Sequence, residues 1–137
     1  MEHLTRFGVS IDTALLKRFD RLIAVSRYKN RSEAFRDLIR GRLAEKLTED
    51  ENREALGALT MVYDHHQTHV AQRMKQLQHD HHEWIISTTH VHIDHATCLE
   101  VILLRGKIRD VRMLASGLTL IKGVLHHHLT ITPKGAF

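Results

Sequence analysis

The sequence predicts an α+β protein in two parts, a strand-helix-helix unit followed by a βαββαβ unit. Alternating apolar residues at 6–11 give way to apolar residues spaced three or four apart as far as residue 47. Beyond residue 53, short apolar runs alternate with helical patterns. Charge divides at the same place, because residues 1–47 carry 11 Lys and Arg against 6 Asp and Glu, whereas the remainder carries 9 against 10. We therefore expect a basic N-terminal domain at 1–47, a linker at 48–53 and a second domain at 54–137.

The first strand is predicted at residues 6–11, with Arg6, Gly8 and Ser10 on its polar face. A lone strand with two short helices buries too little surface to be stable, so we expect it to pair with a second copy of the chain. The resulting two-stranded ribbon fits the major groove of double-stranded DNA. There Arg6 would bridge guanine O6 and N7, Ser10 would form hydrogen bonds, and Gly8 would allow close approach of the backbone.

Two helices follow the strand. Asp12 is the predicted N-cap of the first, and Ser32 is the predicted N-cap of the second. The first helix carries a stripe that we expect to be buried, formed by Leu15, Leu16, Phe19, Leu22 and Ile23. Free N–H groups at the start of the second helix suit a DNA phosphate, with Lys29, Arg31 and Ser32 as contacts.

The second unit is predicted to contain four strands and two helices. Strands are predicted at 55–63, 84–93, 98–104 and 124–131, and helices at 70–79 and 108–121. This order is the split βαβ, or ferredoxin-like, arrangement, in which two helices pack on one face of an antiparallel sheet.

The most informative segment is residues 90–98. On a strand, His90 and His92 project from the same face, and a short turn returns Cys98 beside them. Two imidazoles and one thiolate suit a borderline transition metal rather than calcium or magnesium. The histidine cluster at 79–82 is the natural source of a fourth ligand, either from the same chain or from a partner subunit.

Other histidines carry weaker signals. His65 and His69 lie four apart near a strand-to-helix junction, and His126, His127 and His128 follow one another on the last strand. For both groups an ordinary polar position is favoured over a role as metal ligands.

Several functional classes are disfavoured. The chain has no apolar run of membrane-spanning length and no signal segment, and its single cysteine fits a reducing compartment, so we expect a cytoplasmic protein without membrane contact. No catalytic motif is present, so we do not expect an enzyme. RNA binding is disfavoured because the third strand lacks aromatic residues. A metal-buffering protein and a metalloenzyme with an open coordination position remain as alternatives.

With both halves described, the chain resembles the nickel-responsive ribbon-helix-helix regulators over essentially its whole length. The matching segments are residues 6–10, residues 30–33, the cluster beginning at His79, residues 90–93, and residues 98–100.

The resemblance implies Ni(II), one ion per subunit, in a square-planar site formed by His90, His92 and Cys98 with His79 of another subunit. It implies a homotetramer, a dimer of dimers with central ferredoxin-like (ACT-like) domains, that binds a palindromic operator and represses nickel-uptake genes. A regulator that responds to another divalent transition metal remains the alternative.

The resemblance also implies secondary sites. Glu33 and Asp37 match positions of a secondary cation site, and His65, His69 and His95 are candidates for weaker metal sites.

Overall fold

The computed structural model describes residues 3–67 and 69–136. The chain divides into two compact units, Met1–Gly41 and Arg42–Phe137. In chain order, the helices and strands are α1 (Thr13–Val25), α2 (Arg31–Leu47), β1 (Glu54–Asp64), α3 (Val70–Asp80), β2 (Ile85–His92), β3 (Thr97–Lys107), α4 (Ile108–Thr119) and β4 (Val124–Pro133). The domain bounds given above stay a prediction. None of the described helices is long and apolar enough to cross a membrane.

Of the two caps predicted for the N-terminal helices, one is confirmed and the other is wrong. Asp12 accepts a hydrogen bond from the Leu15 N–H at 2.9 Å, which confirms it as the N-cap of α1. The prediction of Ser32 as the second cap is wrong. Asn30 caps α2, because its Oδ1 accepts from the N–H of Glu33, three residues ahead, at 2.9 Å. Ser32 lies inside the first turn.

The predicted strand at residues 6–11 is absent from the described chain, in which residues 3–12 have no regular secondary structure. A strand is stabilised by ladder hydrogen bonds to a neighbour, and the described residues of Met1–Gly41 include no second strand. The predicted stripe on α1 is not buried either, since Leu15 and Leu22 are each 51% exposed. Among the described residues of this unit, Ala34 alone is buried. The unit therefore has almost no core within one chain.

The C-terminal unit contains one antiparallel sheet in the order β2-β3-β1-β4. Alternate residues of β1 and β3 are buried against α3 and α4, as the period of two requires. These helices contribute Val70, Met74, Val111, Leu114, Ala115 and Leu118 to the core. The predicted βαββαβ order and its ferredoxin-like arrangement are confirmed. The second strand begins one residue later than predicted, because Trp84 ends a short 3-10 helix that starts at His82.

The two faces of this sheet differ. On the helix-covered face, α4 lies so close to β1 that a Cβ added at Gly57 would stand 2.7 Å from Val111 Cγ1. The opposite face has no covering element among the described residues of this unit. Its apolar side chains include Leu56, Val91 and Leu103, which are 55%, 48% and 40% exposed.

Candidate metal centre and DNA-contact residues

The end of the β2–β3 hairpin brings imidazoles and a thiol to one face. His92 is the cross-strand partner of Cys98, and His90 is the partner of Glu100. Because alternate residues of a strand share a face, both histidines lie on the helix-covered face with Cys98. Their ring centroids are 4.9 Å apart. The predicted placement of these three side chains on one face is confirmed.

Cys98 is fully buried, and its Sγ lies 3.3 Å from His92 Nδ1 and 3.3 Å from His65 Nδ1. Burial raises the pKa of the Cys98 thiol, and the carboxylates of Asp94 and Glu100 raise it further. A bound metal cation would lower the pKa of this thiol, since a coordinating thiol is deprotonated. A buried thiol with a raised pKa is not an exposed, reactive nucleophile.

His65 follows β1 directly, and its backbone N–H donates to the Ala96 carbonyl at 2.9 Å. This bond ties the end of β1 to the β2–β3 turn. Asp94 closes that turn, because its Oδ1 accepts from the N–H groups of Ala96 and Thr97, both at 2.8 Å. Hydrogen bonds from Thr97 and then Ala96 hold the pKa of the Asp94 carboxyl below its usual range. The backbone of His65 is thereby held beside the hairpin.

The ligand atoms of His65, His92 and Cys98 all lie within 4.8 Å of one another. Among residues 3–67 and 69–136, no other group of three or more His, Cys, Asp or Glu residues converges in this way. Two nitrogens and one sulfur form a donor set that suits nickel, copper or zinc and disfavours calcium and magnesium. The residues present therefore fit a borderline transition-metal ion.

A second polar network lies next to this group. The Tyr63 hydroxyl donates to Glu100 Oε2 at 3.2 Å and lies 3.1 Å from His90 Nδ1. Gln78 of α3 donates to Glu100 Oε1 at 2.9 Å. The buried Glu100 carboxylate thus has a hydrogen-bond donor at each oxygen. Burial, followed by the nearby Glu100 charge, raises the pKa of Tyr63.

Sequence reasoning missed the roles of Tyr63 and Gln78. One signal was present, since Glu100 is the only acid among the alternate buried positions of β3. A carboxylate at such a position requires hydrogen-bond donors from neighbouring elements. Only the pairing of β3 with β1 and the packing of α3 identify those donors.

His79, the predicted fourth ligand, lies in the last turn of α3 and is exposed. Neither His79 nor His90 belongs to the three-residue group that converges around Cys98. The structure brings His65 to that position instead. The predicted set of His79, His90, His92 and Cys98 stays a prediction.

The other candidate histidines lie apart from this group. His69 precedes α3 with a left-handed φ of 74°, and its Nδ1 lies 3.4 Å from Gln72 Oε1. The carbonyl oxygen of His95 is 3.0 Å from Nε2 of His66. Their roles in metal binding stay predictions.

The two carboxylates predicted for a secondary cation have hydrogen-bond donors within their own unit. Asp37 Oδ2 accepts from the Tyr28 hydroxyl at 2.6 Å. Glu33 Oε2 accepts from the backbone N–H of Lys29 at 3.1 Å. A cation at these residues would have to compete with those bonds.

The predicted DNA-contact residues are all exposed, namely Arg6, Gly8, Ser10, Lys29, Arg31 and Ser32. Arg31 forms a two-point ion pair with Asp20, at 2.7 and 2.8 Å. This pair holds the pKa of the Asp20 carboxyl below its usual range. A phosphate would therefore have to compete with Asp20 for the Arg31 guanidinium.

Comparisons with known proteins cover both parts of the chain. The model of the NikR C terminal nickel binding domain matches residues 56–132. The model of the ribbon-helix-helix protein, copG family, matches residues 5–46. Two relatives carry the name "Putative nickel-responsive regulator". The one from Solibacter usitatus is 51% identical over 136 residues, 99% of this chain and 98% of the relative. The one from Geobacter metallireducens is 47% identical over 135 residues, 98% of this chain and 97% of the relative.

Proposed function

This chain belongs to the nickel-responsive regulators, and on that premise we propose that it is a repressor that binds a palindromic DNA operator when it holds Ni(II). The observation that carries the proposal is the convergence of imidazoles on the buried Cys98 thiol, in a chain whose N-terminal part is a basic ribbon-helix-helix domain. Members of this family are transcription regulators and not enzymes. A DNA-binding regulator of this kind acts in the cytoplasm.

The proposed nickel ligands are His90, His92 and Cys98 of one chain and His79 of the partner subunit, with one ion per subunit. Bound nickel would supply a cationic centre that draws these four ligands together. Two features support an intersubunit site. His79 lies exposed on α3, and among the described residues no set of four His, Cys, Asp or Glu ligands converges within one chain. Ligands divided between chains would link metal binding to assembly.

Exposed apolar surface supports a homotetramer built as a dimer of dimers. In the C-terminal unit, the uncovered face of the sheet presents Leu56, Val91 and Leu103 to solvent. A second copy of the same face would remove that surface from water, at about 25 cal/mol for each Å² buried. In the N-terminal unit, Phe7 and Val9 are exposed at 67% and 55%. Pairing of two 6–11 segments would bury them and form the ribbon.

The basic N-terminal part would supply the DNA contacts. Arg6 and Ser10 on the ribbon would read base edges, and Gly8 would let the backbone approach them. Lys29, Arg31 and Ser32 would contact phosphates at the start of α2, and Arg31 would exchange Asp20 for a phosphate.

The test is operator binding with and without metal. Sheared genomic DNA is selected on the purified full-length protein in nickel, the bound fragments are sequenced, and the affinity for the enriched fragment is measured by titration. We expect nickel to tighten binding by about 5 to 150-fold, the range of a coupling of about 1 to 3 kcal/mol. Equal affinities with nickel and with a chelator would refute the regulatory switch. Tight nickel binding without any enriched fragment would instead indicate a metal-buffering protein.

A further inference from the structure

Arg112 of α4 holds the segment that follows α2, the predicted linker at residues 48–53. Its Nη1 forms an ion pair with the Glu51 carboxylate. Its Nη2 donates to the backbone carbonyl of Thr48, the first residue after α2, at 3.4 Å. One guanidinium group thus joins two positions of the linker to α4.

Backbone hydrogen bonds fasten the same segment to the start of α4. The N–H of Ile108 donates to the Arg53 carbonyl at 3.0 Å. The N–H of Arg109 donates to the Glu51 carbonyl at 3.1 Å. An exposed ion pair by itself contributes little to stability, but here the Arg112 side chain adds to two backbone bonds on one short segment. The linker is therefore bound to α4 along its length.

Two paired strands connect this fastened segment with the metal centre. β1 begins directly after the linker and ends next to His65, and β3 runs from Cys98 to the start of α4. The strands pair without a register shift over their whole length, 54–64 against 97–107. One end of this pair therefore carries the linker and the other end carries the metal group.

We propose that Arg112 is a positioning residue of the regulator, which fastens the end of α2 to α4 so that metal binding can act on the DNA-binding part of the chain. The inference rests on the proposed function, since it requires operator binding that depends on nickel. The role is indirect, because Arg112 is not among the proposed metal ligands or DNA contacts.

The position of α2 is what makes the fastening matter. The boundary between the two compact units falls inside this helix, between Gly41 and Arg42, so α2 belongs to both of them. Rigid elements, and the hydrogen bonds and ion pairs that join them, can carry energetic coupling between distant sites. If the end of α2 were loose, a change at the metal centre would be absorbed by the linker before it reached the helix.

The experiment measures the affinity of the full-length protein for the enriched operator fragment, with nickel and with a chelator, and takes the ratio of the two. Arg112→Gln removes the fastening side chain. Arg109→Gln is the matched control, because it removes the same charge from the same helix and keeps the backbone bond, while the Arg109 guanidinium pairs with its neighbour Asp110.

Changes along a coupling route alter the coupling by about 2 to 30-fold. We therefore expect Arg112→Gln to reduce the affinity ratio by at least about threefold, and Arg109→Gln to change it by less than about 1.5-fold. Because coupling is reciprocal, nickel affinity of the DNA-free protein should stay within about twofold of the parent, and nickel affinity of the DNA-bound protein should fall by the same factor as the ratio.

Two further measurements distinguish positioning from a general loss of fold. Arg112→Glu should reduce the ratio, and adding Glu51→Arg should restore part of it, because the ion pair re-forms with its charges exchanged. Amide exchange of the Arg109 N–H, which donates to the Glu51 carbonyl, should speed up in Arg112→Gln. The amides of β1 and β3 should keep their protection in the same variant.

The outcomes separate this inference from the proposed function. An unchanged ratio in Arg112→Gln, beside a parent that responds to nickel, would overturn the positioning role and leave the regulator standing. Equal losses in Arg112→Gln and Arg109→Gln would also overturn it, since the loss of one positive charge would then account for the effect. A parent that binds equally with nickel and with a chelator would refute the proposed function and this inference with it.

Discussion

The hydroxyl of Tyr63 lies in the polar network beside the metal group, and the contacts of Glu100 allow its energetic contribution to be worked out. It donates to Glu100 Oε2 at 3.2 Å and lies 3.1 Å from His90 Nδ1, with Glu100 only 8% exposed. Tyr63→Phe removes one of the two donors to this carboxylate and leaves the Gln78 bond in place. A buried acceptor that loses its partner costs about 1 to 3 kcal/mol.

The assay is urea unfolding of the metal-free protein at a fixed protein concentration, since assembly would make stability depend on concentration. With a urea dependence of about 2 kcal/mol/M, a loss of about 2 kcal/mol lowers the midpoint by about 1 M. Tyr28→Phe is the matched control, because Tyr28 is the chain's other tyrosine and its hydroxyl donates to Asp37 on the exposed surface. We expect that control to change stability by less than about 0.5 kcal/mol.

A double-mutant cycle assigns the cost to the Tyr63–Glu100 pair. In a Glu100→Gln background, Tyr63→Phe should cost less than in the parent, with a coupling energy of about 0.5 to 3 kcal/mol. The reasoning would be refuted if Tyr63→Phe matched the Tyr28→Phe control, or if its cost were the same in both backgrounds.

Three further predictions concern packing, capping and pH. Gly57→Ala should destabilise the protein by about 1 to 3 kcal/mol through overpacking against α4. Gly117→Ala is the contrasting change, because a Cβ added there meets nothing within 4 Å. It should raise the urea midpoint, since alanine favours a helix more than glycine does. Asn30→Ala should cost about 0.5 to 2 kcal/mol as loss of the α2 cap; thermal unfolding that ranked Ser32→Ala as the more damaging change would contradict the assigned cap. Because the folded-state pKa of Asp94 is depressed, its contribution to stability is present above the ordinary carboxyl pKa and is lost as the pH falls through the folded-state value. The protection factors of the amides in the β2–β3 turn, which correct for the intrinsic pH dependence of exchange, should therefore fall on acidification below about pH 4, and Asp94→Asn should flatten this dependence.

Much of the C-terminal fold follows from residue spacing. The alternation in β1 and β3, the stripes of α3 and α4, and the return of Cys98 beside His92 were all predicted and are present. These features depend on neighbours within one helix or one hairpin, where a period of two or 3.6 decides the face of each side chain.

The strand predicted at residues 6–11 depends on pairing with a second copy, and the described residues of one chain do not form it. The alternation at residues 6–11 indicates which side chains would share a face, but a strand forms only against a neighbouring edge. The cap at Asn30 was missed because asparagine and serine are both good N-caps, and Asn30 and Ser32 lie within the same turn.

The sequence by itself determined the period of each element, the common face of His90 and His92, and the mixed nitrogen and sulfur chemistry that surrounds Cys98. Only the tertiary structure decided that His65 stands beside the thiol while His79 does not, and that Tyr63 and Gln78 satisfy Glu100. The physical reason is that these contacts join residues on separate elements, so they are set by strand register and helix packing and not by spacing along the chain.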